Sequence, residues 1–141
     1  MPARYLLDTN ILSDLLKNPS GSTAQKVATL PPEKRDLLAT SIVVAAELRY
    51  GVAKSGSAIL AGRVDQLLDA IEILPLEPMA DRHYGRIRSE LEKAGTVIGG
   101  NDLLIAAQVL AIDGILVTDN VREFKSIKGL RLENWLRTGS W

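Results

Sequence analysis

Four acidic residues stand in short motifs that could bring them to one edge of a sheet. They are Asp8, Glu47, Asp102 and Asp119. Asp8 and Asp119 directly follow apolar segments that are predicted strands, whereas Glu47 and Asp102 lie at or near predicted helix starts. Unpaired buried carboxylates are too costly to serve a hydrophobic core, but a divalent cation could neutralise them. The pattern therefore indicates a Mg²⁺- or Mn²⁺-dependent phosphodiesterase.

The composition of the donor set favours a hard metal ion. The chain has 17 acidic residues, a single histidine and no cysteine. Mg²⁺ prefers oxygen ligands and keeps several waters, whereas zinc sites are rich in Cys and His. A bound ion of this kind can activate water for in-line attack on a phosphodiester and stabilise the leaving oxygen. We predict that the lone His83 lies on the exposed side of its helix as a surface residue, not as a general base.

Each acid also has a purely structural interpretation when it is taken alone. Asp8 and Asp119 could be helix N-caps, and Asp102 could interact with the dipole of the helix that it opens. Glu47 could be a buried acid paired with Arg49 or another base. An accidental meeting of all four acids at one edge of a sheet is much less expected than any one of these interpretations.

Length and composition predict one ordinary globular domain over residues 1–141, with 46% hydrophobic and 24% charged residues. The absence of cysteine excludes disulfides and fits a reducing, cytoplasmic environment. No signal peptide or membrane span is predicted. A net charge of zero argues against a protein that coats nucleic acid by charge alone. Local contacts to RNA remain open to Lys17, Arg49, Lys54, Arg86, Arg88, Arg122 and Lys125.

Predicted strands and helices alternate along the whole chain. The strands are expected at residues 5–7, 37–40, 73–74, 115–117 and, weakly, 130–132. Helices are expected at 11–16, 23–30, 44–52, 58–70 and 80–94, and from residue 101 onwards. Ser41 is the predicted cap of the helix at 44–52. A single helical turn with a capping box is expected from Asn120 to Glu123. Such alternation predicts a mostly parallel sheet with right-handed crossovers. Ligands bind such sheets beyond the carboxyl ends of the strands, where the strand order reverses.

Four motifs together resemble PIN-domain proteins and, more narrowly, bacterial VapC-type toxins of type II toxin–antitoxin systems, including the FitB-like branch. The motifs lie at residues 7–10 (LDTN), 46–51 (AELRYG), 98–107 (IGGNDLLIAA) and 118–124 (TDNVREF). The segment 84–92 is also similar. The match covers essentially the whole chain in the expected order and spacing.

The resemblance implies a PIN-like three-layer α/β sandwich whose five-stranded parallel sheet has the order 3-2-1-4-5. It also implies a homodimeric endoribonuclease dependent on Mg²⁺ or Mn²⁺, which cleaves structured RNA such as a tRNA or rRNA loop. The expected partner is a VapB-like antitoxin, and operator DNA would be bound only through it. The catalytic residues and metal ligands would then be Asp8, Glu47, Asp102 and Asp119, of which the last occupies the least uniform position in such proteins.

Two other function classes were compared with this interpretation. The first is a PIN fold that acts mainly as a binding module with its antitoxin on operator DNA, and the intact set of four acids disfavours it. The second is a receiver domain, which would need an aspartate at the end of a middle strand. The third predicted strand instead ends in Ile73-Leu74-Pro75-Leu76, and no P-loop or dinucleotide-binding glycine motif is present.

Overall fold

A five-stranded, all-parallel sheet with the order β3-β2-β1-β4-β5 forms the centre of the protein. The computed structural model describes residues 2–137. Helices flank the sheet, so the predicted fold class and strand order are confirmed. The strands are β1 (Tyr5–Leu7), β2 (Leu38–Ser41), β3 (Glu72–Leu74), β4 (Ile115–Val117) and β5 (Arg131–Glu133).

Eight helices are found in the described residues, and their bounds differ from the predictions mainly by one or two residues. They are α1 (Thr9–Lys17), α2 (Ser22–Thr29), α3 (Pro32–Arg35), α4 (Ile42–Ser55), α5 (Ala58–Asp69), α6 (Ala80–Lys93), α7 (Gly100–Ala111) and α8 (Val121–Phe124). The short α3 was not predicted, because the Pro31-Pro32 pair indicated only a break. Proline is compatible with the first helical position, since its missing N–H would be unpaired there anyway.

The core lies between the sheet and its helices and includes both central strands. Leu6 and Leu7 are both buried although they point to opposite faces of β1, because a parallel sheet is covered on both sides. No helix within residues 2–137 is long and apolar enough to span a membrane. The largest fully buried apolar side chains are Phe124, Leu6, Leu7, Ile11, Leu12, Ile87, Ile105, Leu116, Val44, Val64 and Val109.

The register of the central strands determines which residues meet at the carboxyl edge of the sheet. Leu7 of β1 is paired with Val117 of β4, which is paired in turn with Glu133 of β5. The N–H of Asp8 donates to Val117 O at 2.9 Å, and the N–H of Thr118 donates to Glu133 O at 2.9 Å. The residues that follow these three strands are therefore side by side at the point where the strand order reverses.

Two predicted helix caps have different outcomes. The Ser41 hydroxyl accepts a hydrogen bond from the N–H of Val43 at 3.0 Å, which confirms it as the cap of α4. The predicted capping box of α8 is not formed, although the single turn itself is present. The side chain of Asn120 makes no capping hydrogen bond and instead donates to the carboxylate of Glu123.

Candidate active site

Asp8 is the most buried acid of the site and is held at both carboxylate oxygens. It is 4% exposed, directly after β1, and it caps α1. The N–H of Thr9 donates to Oδ1 at 2.8 Å, and the hydroxyl of Thr118 donates to Oδ2 at 2.8 Å. Burial raises the pKa of Asp8, and these two hydrogen bonds oppose the rise. The N-cap interpretation is thus correct, but it leaves a buried carboxylate that has no basic partner among residues 2–137.

Glu47 lies on α4 and its carboxylate faces the start of α1. The Thr9 hydroxyl donates to Glu47 Oε1 at 3.1 Å. Burial raises the pKa of Glu47, and the charge of Asp8 raises it further. The alternative of a pair between Glu47 and Arg49 is wrong, because the Arg49 guanidinium contacts Asp65.

Asp102 is the acid most affected by its neighbours. It lies in the first turn of α7, where the helix N-terminus would favour the charged form. Burial nevertheless raises its pKa to about 7, with additional repulsion from Asp8, Glu123 and Glu47. The three predicted acids Asp8, Glu47 and Asp102 are therefore close enough to oppose each other's ionisation.

Glu123 belongs to the same acidic cluster, although the sequence analysis considered it only as a capping residue. It lies on the one-turn helix α8, and its charge raises the pKa of both Asp8 and Asp102. Its proximity thereby favours the protonated form of Asp102. The available signal was a further acid four residues after Asp119, within the motif that had already been recognised.

Asp119 has a different environment from the other three predicted acids. Its Oδ1 accepts hydrogen bonds from Asn134 Nδ2 at 3.0 Å and from Arg137 Nε at 2.7 Å. The hydrogen bond from Asn134 is the largest factor that lowers the pKa of Asp119, and Arg137 lowers it further. Glu123, and not Asp119, is thus the acid near β4 whose charge affects Asp8 and Asp102. A metal-binding role for Asp119 stays a prediction.

Most of the predicted RNA-contacting bases on α4 and α6 are engaged elsewhere. Arg49 pairs with Asp65, Arg86 lies 3.6 Å from a carboxylate oxygen of Glu90, and Arg88 pairs with Glu92. His83 is partly exposed at the surface of α6, as predicted, with its Nδ1 3.1 Å from Arg86 Nη2. It takes no part in the acidic cluster.

The donor set fits an open site for a hard cation. Within residues 2–137, no ion pair reaches Asp8, Glu47, Asp102 or Glu123, so the negative charge of the cluster is not compensated by the protein. The same residues contain no group of three or more His, Cys, Asp or Glu side chains that is arranged to hold one metal ion. Mg²⁺ is commonly bound through one or two carboxylates while it keeps waters, and this arrangement suits an uncompensated, partly open cluster.

Comparison with known proteins agrees with this geometry. The PIN domain family model matches residues 5–130. The chain belongs to the PIN-domain family. Ribonuclease VapC2 of Rickettsia felis is 40% identical over 132 residues, which cover 93% of this chain and 97% of that protein. The tRNA(fMet)-specific endonuclease VapC of Shigella flexneri is 33% identical over 137 residues, covering 94% of this chain and 98% of the relative.

A solved structure extends the likeness of this PIN domain to its tertiary fold. VapBC2 from Rickettsia felis, bound to a DNA fragment from its promoter, superposes with a TM-score of 0.82 at 37% identity. The match covers 93% of this chain and 98% of the other. These likenesses confirm the predicted resemblance, and the protein is a VapC-type ribonuclease toxin.

The raised pKa of Asp102 predicts a specific pH dependence of the stability of the metal-free PIN domain. Because the folded state holds the proton up to about pH 7 and the unfolded state releases it near 4, stability should fall as the pH rises between these values. A shift of this size corresponds to about 4 kcal/mol, which solvent screening at this partly exposed group reduces to about 1–2 kcal/mol. Asp102→Asn should therefore raise the free energy of unfolding by about that amount at pH 8.

Urea unfolding between pH 4 and 8, without divalent metal, measures this effect. Asp113→Asn is the matched control, because Asp113 lies before β4 at the opposite edge of the sheet and has a φ of 52° that asparagine tolerates. Identical pH profiles for wild type and Asp102→Asn would contradict the repulsion described here.

Proposed function

We propose that this ribonuclease is a metal-dependent endonuclease that cleaves structured RNA by attack of a metal-activated water. Asp8, Glu47 and Asp102 would hold Mg²⁺ or Mn²⁺, with Glu123 beside them, whereas Asp119, the fourth predicted ligand, binds Asn134 and Arg137. The observation that carries this proposal is a cluster of mutually repelling carboxylates at the reversal of strand order, which has no basic partner in the part of the chain that the structure describes. Such a cluster is stable in the ionised form only when a cation compensates it.

The protein's own contribution to this chemistry is to hold the ligands in place before substrate arrives. A divalent ion, when bound, supplies Lewis acidity and lowers the pKa of a coordinated water. Thr118 and the N–H of Thr9 orient the carboxylate of Asp8, and the Thr9 hydroxyl orients Glu47. Hydrogen bonds of this kind to ligand carboxylates limit their rotation, which keeps the site organised.

Asp8→Asn should abolish RNA cleavage while it keeps the fold, because it removes one charge from the cluster without a change in shape. The same substitution should raise the melting temperature of the metal-free protein, since it relieves burial of a charge and repulsion. It should also reduce the increase in melting temperature that Mg²⁺ produces in the wild type. Thermal unfolding with and without Mg²⁺, together with a cleavage assay on bulk tRNA, measures all three effects.

Asp113→Asn again serves as the control and should behave as wild type in both assays. Full activity of the wild-type protein in excess EDTA would contradict the metal-dependent mechanism. An unchanged response of Asp8→Asn to Mg²⁺ would contradict the assignment of Asp8 as a ligand.

The proposed substrate class is a structured RNA, and a tRNA is the first candidate. One relative is named as a tRNA(fMet)-specific endonuclease, and it matches this chain over nearly its full length. A hairpin loop offers splayed nucleotides that can enter a cleft at the edge of a sheet. Sequencing of RNA ends after brief induction, in parallel with Asp8→Asn, identifies the target, and cleavage spread over unstructured RNA would contradict the proposal.

The proposed partner is a VapB-like antitoxin that inserts a basic side chain toward Asp8, Glu47 and Asp102. A groove of about 330 Å³ begins at Thr9 and Glu47 and runs between α1, α4 and α5. It could hold the apolar residues that flank the inserted base, and arginine is favoured because its fork pairs with two carboxylate oxygens. The apolar residues that line the groove are Leu16, Leu48, Val52, Leu60 and Val64.

Leu60→Gln should weaken antitoxin binding and leave the cleavage activity of the free toxin unchanged. Ile59→Gln is the matched control, since the neighbouring side chain is 75% exposed and lies outside the groove. Titration calorimetry with the antitoxin measures the difference, which should be about tenfold in Kd for loss of one apolar anchor. Equal affinities of the two variants would contradict docking in this groove, and circular dichroism checks that both are folded.

Replacement of the antitoxin's inserted arginine by alanine tests the other half of this proposal. Inhibition should weaken more than binding does, because the apolar contacts remain. If an antitoxin that lacks every basic residue in that segment inhibits as well as the wild type, the cation-displacement model is wrong and the antitoxin blocks the site sterically.

Operator DNA is proposed as a ligand of the toxin–antitoxin complex, not of the toxin alone. The VapBC2 complex from Rickettsia felis was solved on a fragment of its promoter DNA. This chain has a net charge of zero, which gives it little general attraction to duplex DNA. Gel shifts with the toxin, the antitoxin and both together test this, and DNA binding by the toxin alone would contradict it.

A homodimer is the proposed oligomeric state. Two adjacent grooves share Leu104 and form one apolar surface over α4, the start of α6 and α7. Three of its residues are large and well exposed, namely Ile42, Tyr50 and Leu76. The surface involves the start of α6 and not its whole length, since Ile87 and Leu91 are buried in the core. A second copy would cover this patch by isologous contact.

Tyr50→Glu should convert the dimer to a 15.3 kDa monomer at micromolar concentration, because it places a charge in the centre of an apolar interface. Ile59→Glu is the control, since Ile59 is equally apolar and exposed but lies outside both grooves. Light scattering measures the mass. A wild-type protein that is monomeric under these conditions would contradict the dimer.

A further inference from the structure

Arg137 is attached to the edge of the active site by a carboxylate that sequence analysis assigned to the metal. Its Nε donates to Asp119 Oδ1 at 2.7 Å, while 77% of its side chain remains exposed. The terminal nitrogens of the guanidinium form no other hydrogen bond within residues 2–137. The carboxylate thus orients the side chain and leaves the outer end of its fork open to solvent.

The backbone that carries Arg137 is held firmly after β5. Asn134 Oδ1 accepts hydrogen bonds from the N–H of Leu136 at 2.9 Å and from the N–H of Arg137 at 3.2 Å. The Nδ2 of the same Asn134 donates to Asp119 at 3.0 Å, so one amide group organises both members of the ion pair. The Ser22 hydroxyl donates to Leu136 O at 2.7 Å, which connects the segment to α2.

Trp135 anchors this segment in the core. It is 5% exposed, its ring lies 5.5 Å from that of Tyr5, and its indole N–H donates to Glu133 Oε1 at 2.9 Å. A guanidinium mounted on such a segment loses less conformational entropy on binding than one on a free surface chain.

A continuous series of hydrogen bonds connects Arg137 with the catalytic acid Asp8. The N–H of Asp119 donates to Asn10 Oδ1 at 2.9 Å, and Asn10 Nδ2 donates to Thr118 Oγ1 at 3.3 Å. Thr118 in turn donates to Asp8 Oδ2 at 2.8 Å. Among residues 2–137, Arg137 is the only basic side chain in this series.

A cation beside the acidic cluster would favour the binding of RNA. The acidic cluster repels the phosphates of an approaching RNA, and a bound divalent ion compensates only the phosphate at the cleaved bond. Neighbouring phosphates need their own positive partners, and arginine matches phosphate geometry with its planar fork. The negative charge of Asp119 partly offsets the positive charge of Arg137. The ion pair also fixes the orientation of the guanidinium, so that its unbound nitrogens point in one direction.

We propose that Arg137 binds a backbone phosphate of the RNA substrate next to the cleaved bond, and that Asp119 is the positioning residue that holds Arg137 in place. This proposal rests on the proposed ribonuclease function and assigns Asp119 a role other than that of a metal ligand. Arg137 would then contribute to substrate binding and not to the chemical step.

The first experiment separates this proposal from the proposed function. Cleavage of bulk tRNA by the wild-type protein with Mg²⁺ is measured first, and its absence would refute the ribonuclease function itself. With active wild type, Arg137→Gln should raise KM about fivefold to tenfold and change kcat less than twofold. Arg137→Lys should restore part of the loss, because it keeps the charge without the fork.

Arg131→Gln is the matched control. Arg131 is half-exposed and, like Arg137, pairs with an aspartate, in this case Asp113. It lies at the start of β5, away from the acidic cluster, whereas Arg137 follows the end of that strand. It should leave KM unchanged. An equal KM for Arg137→Gln and the wild type would overturn the proposal, as would a loss confined to kcat.

Salt dependence supplies a readout that a purely structural effect would not change. Binding of bulk tRNA is measured between 50 and 200 mM KCl in the cleavage-deficient Asp8→Asn background. Removal of one phosphate contact should reduce the slope of log Kd against log salt by about 0.7–0.9. A slope that Arg137→Gln does not change would overturn the proposal, and a loss of affinity for antitoxin alone would assign Arg137 to the protein partner instead.

Asp119→Asn tests the second half of the proposal. The increase in melting temperature with Mg²⁺ should equal that of the wild type, because Asp119 would not hold the ion. In the Arg137→Gln background, Asp119→Asn should cause no further rise in KM. Loss of the Mg²⁺-dependent stabilisation in Asp119→Asn would show that Asp119 is a metal ligand and would overturn its assignment as a positioning residue.

Discussion

The concentration of carboxylates at the carboxyl edge of β1 and β4 is the constraint on which the rest of the site depends. Asp8, Asp102 and Glu123 oppose each other's ionisation and have no basic partner in the described residues. The fold tolerates this arrangement because neighbouring groups donate hydrogen bonds to the carboxylate of Asp8. Thr118 and the N–H of Thr9 bind Asp8, and the parallel register of β1 and β4 brings these groups together. This arrangement costs stability locally, and the proposed cation would offset that cost.

The same charge distribution organises the surroundings of the site. Arg49, Arg86 and Arg88 of the outer helices are paired with acids of their own and do not compensate the central carboxylates. Asp119 lies at the edge of the acidic cluster. It is linked to Asp8 through Asn10 and Thr118, and on its outer side it binds Arg137. The apolar groove beside α4 begins at Glu47, so a chain bound there would reach the acids directly.

Much of the fold could be predicted from sequence because its elements are short and sharply bounded. The apolar runs at 5–7 and 115–117 are too short for helices, and each is followed by polar capping residues. Three of the predicted acids, Asp8, Glu47 and Asp102, interact as expected, since parallel strands bring their carboxyl ends to one edge. Helix starts differed by one or two residues, as at Thr9 of α1 and Ile42 of α4, because the apolar spacing identifies the buried face of a helix and not its first residue.

The sequence by itself determined the alternation of strands and helices, the absence of thiolate chemistry and the four motifs that carry the acids. Only the tertiary structure decided how the last motif divides its two acids. Asp119 and Glu123 are equally acidic in sequence, but the single turn of α8 directs Glu123 toward Asp102, and the end of β5 brings Asn134 and Arg137 to Asp119. Local sequence patterns cannot resolve this difference, because it depends on contacts between residues that are distant along the chain.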